Sequence, residues 1–410
     1  MTSIKSCDRH YNGILTLNKN ICPECGSHLN KNGHQKSVYS GVYADSRVLM
    51  SKLDCSSPTC KWNHNPTIKS YFGGNISPEL AKLQSELGAT LSFRKASNQM
   101  RLMCARKRPV NNHMRIRETV YNTGEALSRY HHSRTEKQHN IEKLEKINRP
   151  QNKAKELVAS PDGAYVHDKN NPGHNFEVMV AKVYNPKNIS KVSKNRYQIT
   201  QKQCVGSAMK DKQSVMKIKI LEAAKLEGLD KETTVIGLAD GAANCWNVIY
   251  SLLPYCALLI CILDWFHVAK AFTVITKQLP DHAKQYLKTA HTALWYGEAI
   301  LAINCLLKLR LNLKDTAHIE KLDVLITYIR NNQKYLVNYD DRAQKDLPFS
   351  SQMAESTVEH FVAERFKKRQ KMAWTRNYAH NVLQVRSALI GGTFDEYWRA
   401  THNVAILEAA

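Results

Sequence analysis

The chain has 410 residues and a formal net charge of +23, from 59 Lys and Arg against 36 Asp and Glu. This basic excess predicts a polyanionic partner, with nucleic acid as the first candidate, and the length predicts two to four domains. The longest apolar run, Leu252–Leu263, contains Pro254 and is shorter than the ~20 residues of a spanning helix, which excludes a membrane-spanning protein.

The amino terminus and the cysteine usage indicate a reducing compartment. The first residues, MTSIKSCDRH, contain no apolar stretch of the kind that a secretory signal requires. Eleven cysteines in a chain of this length do not make a disulfide scaffold. We therefore expect a cytoplasmic protein with no membrane partner.

The first segment, residues 1–72, has the cysteine spacing of a metal site. Four cysteines are the candidate ligands of a structural Zn²⁺: Cys22, Cys25, Cys55 and Cys60. The first two are separated by two residues, a spacing that lets two thiolates bind one tetrahedral ion, but the last two are separated by four. Cys7 and His10 form a rival pair, and four free thiols are the alternative to a metal. Zinc would stabilise a segment too small for its own core.

Residues 73–129 have the pattern of short helices joined by tight turns. Ser77 precedes Pro78 as a helix cap, and Ser92 begins the next helix. Three cations at the following turn are candidates for DNA phosphate contacts: Arg106, Lys107 and Arg108. The pattern is typical of a helix-turn-helix DNA-binding module, and a plain helical bundle is the alternative.

A charged segment, residues 130–155, predicts a linker that is partly helical before the longer body, residues 156–410. The body alternates strands over 156–167, 176–184, 196–205, 233–239 and 257–263 with helices over 211–227 and 242–253. Hairpins followed by two βαβ crossovers predict an α/β domain with a mixed five-stranded sheet and helices on both faces. From Phe266 to about Val337 the pattern is helical.

Three acids stand at marked places in this body. Asp162 lies in the first strand, Asp240 ends the fourth, and Glu355 begins a late helix. Groups at the carboxyl ends of neighbouring parallel strands converge. Converging carboxylates repel one another unless divalent cations neutralise them, and two Mg²⁺ ions about 4 Å apart support an in-line phosphoryl displacement. The alternative is that each acid is a strand-end or turn residue.

Several neighbours compete with these assignments. Pro161 cannot donate a hydrogen bond in a central strand, so we expect the strand to begin there effectively, and Asp168 competes with Asp162. Glu359 shares a helical face with Glu355 and competes for the third role. The last strand is followed by Asp264 and His267, either as a second layer of the site or DNA contact, or as a helix cap with a buried histidine.

The motifs SPDGAYV, LADGAANCW, ILDWFH, LWYG, AESTVEHFVAERFKKRQKMAW and GGTFDEYW carry a family resemblance. The chain resembles the DDE transposases of bacterial insertion sequences, in the branch related to mutator-like elements, and is most similar to the Kra-type insertion sequences. The resemblance implies an RNase-H-like catalytic domain in which Asp162, Asp240 and Glu355 bind two Mg²⁺ or Mn²⁺ ions. It also implies a helical insertion at about 268–345 and a protein associated with the bacterial nucleoid.

A second basic cluster follows the late helix. Its members are Arg365, Lys367, Lys368, Arg369, Lys371 and Arg376. They are candidates for DNA phosphate contacts, and a solvated helix face is the alternative.

The resemblance implies a DNA transposase that binds the terminal inverted repeats of its element, cleaves the DNA strand and transfers it to target DNA. A homo-oligomer is expected because two DNA ends must be joined. Two other functions stay open: a DNA-binding regulator derived from an inactive or domesticated transposase, and an RNase-H-like nuclease without strand transfer.

Overall fold

The computed structural model describes residues 3–5, 13–16, 20–72, 74–103, 108–144, 153–193, 196–351, 359–367 and 372–402. The chain forms two compact units. The first comprises Met1–Asn122 with Glu396–Ala410, and the second comprises Thr123–Asp395. Within the described ranges, no helix is both long enough and apolar enough to cross a bilayer.

The first unit contains a small sheet built around one long hairpin. Its strands are β1 (Ser3–Lys5), β2 (Gly13–Thr16), β3 (Leu29–Ser40), β4 (Asp45–Cys55) and β5 (Asn63–His64), in the order β1-β2-β4-β3 with β5 beside β4. The antiparallel β3–β4 hairpin sets Leu29 opposite Cys55 at its base. Met50 and Val48 on β4 pack with Ile68 in a small core.

Helices follow the hairpin. They are α1 (Ile68–Phe72), α2 (Pro78–Thr90), α3 (Phe93–Met103) and α4 (His113–Leu144), with a 3₁₀ turn over Pro109–Asn111. The hydroxyl of Ser77 accepts the Leu80 N–H at 3.2 Å, which confirms the predicted cap. A Cβ at Gly88 would lie 2.6 Å from the Val120 side chain, so α2 and α4 approach closely there. Helix α4 extends well beyond residue 130, so the first half of the predicted linker is helical.

The second unit contains the predicted mixed five-stranded sheet. Its strands, with a separate β8–β9 hairpin, are β6 (Glu156–His167), β7 (Asn175–Tyr184), β8 (Ile189–Ser193), β9 (Arg196–Ile199), β10 (Gln203–Ser207), β11 (Thr234–Ala239) and β12 (Leu258–Leu263). The sheet order is β10-β7-β6-β11-β12. Strands β6, β11 and β12 are parallel, and β7 is antiparallel to both of its neighbours.

One predicted strand is wrong. The segment 196–205 is two strands rather than one, because the chain bends at Thr200, whose N–H bonds to the carbonyl of Asn188 at 2.9 Å. Strand β9 then pairs with β8, and β10 alone joins the sheet edge.

The remaining helices follow one another in chain order, and all but the last lie wholly in the second unit. They are α5 (Ser214–Leu226), α6 (Ala243–Tyr250), α7 (Trp265–Gln278), α8 (Ala283–Trp295), α9 (Ala299–Asn312), α10 (Thr316–Asn331), α11 (Tyr339–Gln344), a π-helix (Glu359–Lys367), α12 (Arg376–Ile390) and α13 (Phe394–His402). One apolar cluster runs from the strands, through Val235 and Ile262, into α7–α11, through Phe272, Leu294 and Ile326. The helical segment after β12 is therefore packed as part of the sheet domain.

Candidate functional site

Asp162, Asp240 and Asp264 fall in one row across three parallel strands. The last pair of the β6–β11 ladder lies three residues before both Asp162 and Asp240. The last pair of the β11–β12 ladder lies one residue before both Asp240 and Asp264. If the pairing is continued, Asp162 falls opposite Asp240, and Asp240 falls opposite Asp264. Residues opposite one another on neighbouring strands have their side chains on the same face of the sheet. The row stands where β11 and β12 end.

Pro161 lies inside β6, so the expectation that the strand begins there is wrong. Strand β6 is continuous from Glu156 to His167. The β6–β11 ladder ends at Ala159, and Pro161 comes after it, where its missing N–H breaks no bond of that ladder. The pairing of the two strands therefore stops before Asp162.

The charges around Asp162 oppose its ionisation. Burial is the main cause of the raised pKa of the Asp162 carboxyl, and the negative charges of Asp240 and Asp264 raise this pKa further. The positive charge of a protonated His267 and the N–H of Gly163 act in the opposite direction. A partly buried carboxyl among like charges is the environment that a divalent cation would stabilise.

Asp264 is the helix cap that the sequence analysis gave as one of its two alternatives. Its Oδ1 accepts the Phe266 N–H at 3.0 Å, which caps α7, and also the Ser351 N–H at 2.9 Å. The residue is only 2% exposed, and the Nε2 atom of His267 lies 3.8 Å from its other oxygen. Asp264 is therefore a helix cap and, at the same time, a member of the acidic row.

Tyrosines of the helical segment hold the strand ends that carry the acids. The Tyr328 hydroxyl donates to the Asp240 carbonyl at 3.0 Å, and the Tyr339 hydroxyl donates to the Leu263 carbonyl at 2.7 Å. Asp240 also accepts the Ala242 N–H at 2.9 Å. These bonds fix the backbone at Asp240 and directly before Asp264.

Gly241 makes the turn after Asp240 possible. Its φ of +102° lies in the left-handed region, and a Cβ there would lie 2.6 Å from the Asn332 side-chain amide. Only glycine satisfies both requirements, which explains why the sequence has Asp-Gly at this strand end.

A cavity of about 510 Å³ opens beside the acidic row, between α7 and α10. Asp240 and His267 form one end of it. Its walls are mainly apolar, as at Val274, and two exposed cations, Lys270 and Lys321, line it. Helices α7 and α10 therefore provide a positively charged groove that leads to Asp240.

The structure places Asp168, one of the two competing acids, away from the acidic row. Asp168 lies six residues beyond Asp162, roughly 20 Å along the strand, and its carboxylate accepts the Asn170 N–H at 2.8 Å in a turn. Glu355 lies outside the described residues, and Glu359 begins the π-helix. The three acids of the row within the described residues are therefore all aspartates.

Lys182 is a member of the site that the sequence analysis missed. It is 2% exposed and pairs across β6–β7 with Ser160, two residues before Asp162, so it lies on the face of the acidic row. Burial lowers the pKa of Lys182 to about 8, against the opposing attraction of Asp264 and Asp162. A lone lysine in the apolar run FEVMVAKVY was the available signal.

The four predicted cysteines of the first unit form a cluster whose sulfur atoms all lie within 4.8 Å of one another. The Cys25 and Cys55 sulfurs are 3.3 Å apart, and those of Cys22 and Cys60 are 3.8 Å apart. Tetrahedral Zn–S bonds of ~2.3 Å require sulfur atoms ~3.8 Å apart, so the cluster fits a metal such as zinc. Within the described residues, this is the one group of three or more His, Cys, Asp or Glu side chains close enough to share an ion, and Asp162, Asp240 and Asp264 do not form such a group.

The β3–β4 hairpin explains why the unequal spacing still closes the site. Cys25 precedes β3, and Cys55 ends β4 opposite Leu29. Gly26 adopts a φ of +73° and donates to the Cys22 carbonyl at 3.0 Å, which completes the first turn. The rival pair, Cys7 and His10, lies outside the described residues.

The cysteine thiols are electrostatically coupled. Hydrogen bonds from Ser27, and then from Cys55, lower the pKa of Cys25 to about 6. Burial and the neighbouring thiols outweigh a backbone hydrogen bond and raise the pKa of Cys60 to about 12. One thiolate is therefore available near neutral pH, which favours the first metal–sulfur bond.

Three of the predicted DNA-contacting arginines are used inside the protein, which corrects their assignment. Arg108 is 4% exposed and donates to the carbonyls of Gly41 and Val42 at 2.9 and 2.8 Å. Arg365 is fully buried against the Trp374 ring, and burial lowers its pKa to about 9. Arg376 donates to the carbonyl of Ala208 at 2.7 Å.

The other predicted phosphate contacts lie where the side chains are not described: Arg106, Lys107, Lys367, Lys368, Arg369 and Lys371. Helix α3 instead offers polar side chains that the sequence analysis did not select. Arg94, Lys95, Asn98, Gln99 and Arg101 are exposed, while Phe93, Ala96 and Met100 are buried. Arginine, asparagine and glutamine are the side chains that read base edges, and helical periodicity in FRKASNQMRLM was the signal for this face.

A search with models of known protein families finds none that matches the chain, and a search of curated proteins finds no similar sequence.

Proposed function

We propose that this protein is a DDE-type DNA transposase with an RNase-H-like catalytic domain. The observation that carries the proposal is the row formed by Asp162, Asp240 and Asp264 at the ends of parallel strands. The sheet order β10-β7-β6-β11-β12, with β7 antiparallel, supports the fold assignment. The family resemblance supplies the reaction class.

In the proposed reaction, Asp162 and Asp240 bind Mg²⁺ together with Glu355. When bound, Mg²⁺ on these residues would supply Lewis-acid chemistry for hydrolysis of a phosphodiester bond and for the later attack of the freed 3′-hydroxyl on target DNA. The pKa of Asp162, raised by burial first and then by the charges of Asp240 and Asp264, supports a cation at this place. Asp264 would position His267 near the strand, and Lys270 and Lys321 would neutralise phosphates along the adjacent groove.

The first unit would bind the inverted repeats. A structural Zn²⁺ on the four cysteines would hold the hairpin, and the exposed face of α3 would read bases in the major groove. Two ends must meet for transposition, so we expect a homo-oligomer on DNA.

The test is cleavage of a donor plasmid that carries the gene with its native flanking DNA. Wild-type protein with Mg²⁺ should nick the plasmid at the element ends and join the ends to a target plasmid. Asp240→Asn should lower cleavage by about 1,000-fold or more, because a metal ligand is lost. Asp168→Asn is the matched control and should cleave like the wild type.

Three outcomes separate the candidate functions. Nicking without joining would support the nuclease alternative, and binding of the ends without nicking would support the regulator. Equal cleavage by the Asp240→Asn and Asp168→Asn variants would refute the metal assignment. Binding of the ends by both variants should match that of the wild type.

A further inference from the structure

A second cavity of the sheet domain, about 350 Å³ in volume, lies apart from the acidic row. Residues of α4, α5 and α12 line it, among them Ser128, Lys219 and His380. None of these three side chains has a role in the reaction proposed above. What they share is an unused hydrogen-bond donor.

Lys219 is the principal group of this cavity. It is 8% exposed, and its ammonium group has no hydrogen bond or ion pair among the described residues. Burial lowers the pKa of Lys219, while the charge of Glu222 opposes that effect. A buried cation without a paired anion is costly, so such a site favours a bound negative charge.

Ser128 and His380 add two further donors. The Ser128 hydroxyl oxygen is buried and has no hydrogen-bond partner. The Nδ1 atom of His380 accepts the Ala208 backbone N–H at 3.4 Å, so the proton of its neutral ring lies on Nε2. Burial, followed by the Lys219 charge, lowers the pKa of His380 to about 4, which keeps the ring neutral.

The other lining residues determine which size and charge of anion the cavity favours. Val215 and Ile218 contribute apolar side chains to the wall of the cavity. Glu222 is also part of the lining, so a second negative charge on the ligand would be repelled. The volume is larger than an inorganic ion needs and lies in the range of small organic ligands.

We infer that this cavity is a binding site for a small organic carboxylate. The carboxylate would accept hydrogen bonds from Lys219, Ser128 and His380, and the apolar body would contact Val215 and Ile218. The exposed Arg129 at the lining would assist the approach of the anion. This inference does not depend on the transposase proposal.

The experiment is calorimetric titration of the full-length protein with sodium benzoate at pH 7, beside benzyl alcohol and inorganic phosphate. Benzoate should bind, and the neutral alcohol and phosphate should bind at least about tenfold more weakly. Lys219→Met should weaken benzoate binding by about tenfold to 100-fold, because a charge-assisted hydrogen bond is lost. Lys217→Met, on the same helix but outside the lining, should bind like the wild type.

Thermal unfolding keeps the test decisive. Lys219→Met replaces a buried cation with an apolar side chain of similar length, so it should unfold at the same temperature as the wild type or higher. Ser128→Ala is a milder variant and should weaken benzoate binding by about threefold to tenfold. Equal benzoate affinity of the wild type and a folded Lys219→Met variant, or tighter binding of benzyl alcohol than of benzoate, would overturn the inference, as would no binding by the wild type.

Discussion

The cysteine cluster of the first unit is closed by one hairpin, whereas the aspartate row of the second unit requires three strands and two crossovers. Hydrogen bonds from Ser27, and then from Cys55, favour one thiolate in the cluster, since they lower the pKa of Cys25 to about 6. In the acidic row, burial and like charges raise the pKa of Asp162. A metal would therefore add stability to a site that is already arranged in the first unit, but would relieve repulsion in the second.

The largest expected effect comes from removing one cysteine of the cluster in the first unit. Cys22→Ser should lower the unfolding temperature of the first unit by about 10 °C or more and reduce the bound zinc, because the metal would supply folding energy there. Cys256→Ser lies outside the cluster and should change neither quantity. Zinc analysis and calorimetry of the full-length variants measure both effects. Equal zinc content in the two variants would show that Cys22 is not a zinc ligand.

The next largest effect is expected at the turn after Asp240, next to the aspartate row of the second unit. Gly241→Ala should lower the free energy of unfolding by about 3 kcal/mol, since it adds a steric contact with Asn332 to backbone strain. Gly173→Ala is the matched control: φ there is +86°, but no atom lies within 4 Å of the added Cβ, so the loss should be about 1 kcal/mol. Denaturant titration gives both values. Equal losses would show that Asn332 does not restrain the turn.

The smallest effect concerns the pH dependence of stability. Because the pKa of Asp162 is raised above 3.8 in the fold, the native state holds this proton more tightly than the unfolded chain. The resulting stabilisation is present in acid and is lost as the pH rises from 3.8 through the native pKa. Asp162→Asn should remove this loss, so the variant should gain stability relative to the wild type between pH 4 and pH 7. Thermal unfolding without added Mg²⁺ measures the difference, and parallel curves would contradict it.

Much of the fold is visible in the amino-acid sequence because local apolar runs define the central strands. The strand β6 has the predicted bounds, and β7, β11 and β12 each begin within one residue of the prediction. The bend at Thr200 was missed because it depends on a bond to Asn188, twelve residues away. The partly helical linker was predicted without bounds, because polar composition alone does not show that its helix continues α4 as far as Leu144.

The site was less predictable than the fold. Asp162 and Asp240 were found because Asp-Gly follows or interrupts an apolar strand, but the place of Asp264 in the same row depends on strand register. The position of Lys182 near the aspartates could not be predicted, because a lysine is expected to face solvent and this one is buried. The misassigned arginines show the same limit, because a cation in a basic run is expected to face solvent and Arg108 and Arg365 do not.

The burial of Arg108 has a consequence for the way the first unit would approach a long polyanion. Its guanidinium binds the tip of the β3–β4 hairpin through Gly41, Val42, Ala44 and Asp45, while its backbone leads into the helices at Pro109. The sequence analysis placed a domain boundary between residues 72 and 73, and the Arg108 side chain connects the two segments through several bonds. The hairpin and the helices would turn as one rigid head, and a spectroscopic label on either would report the orientation of both.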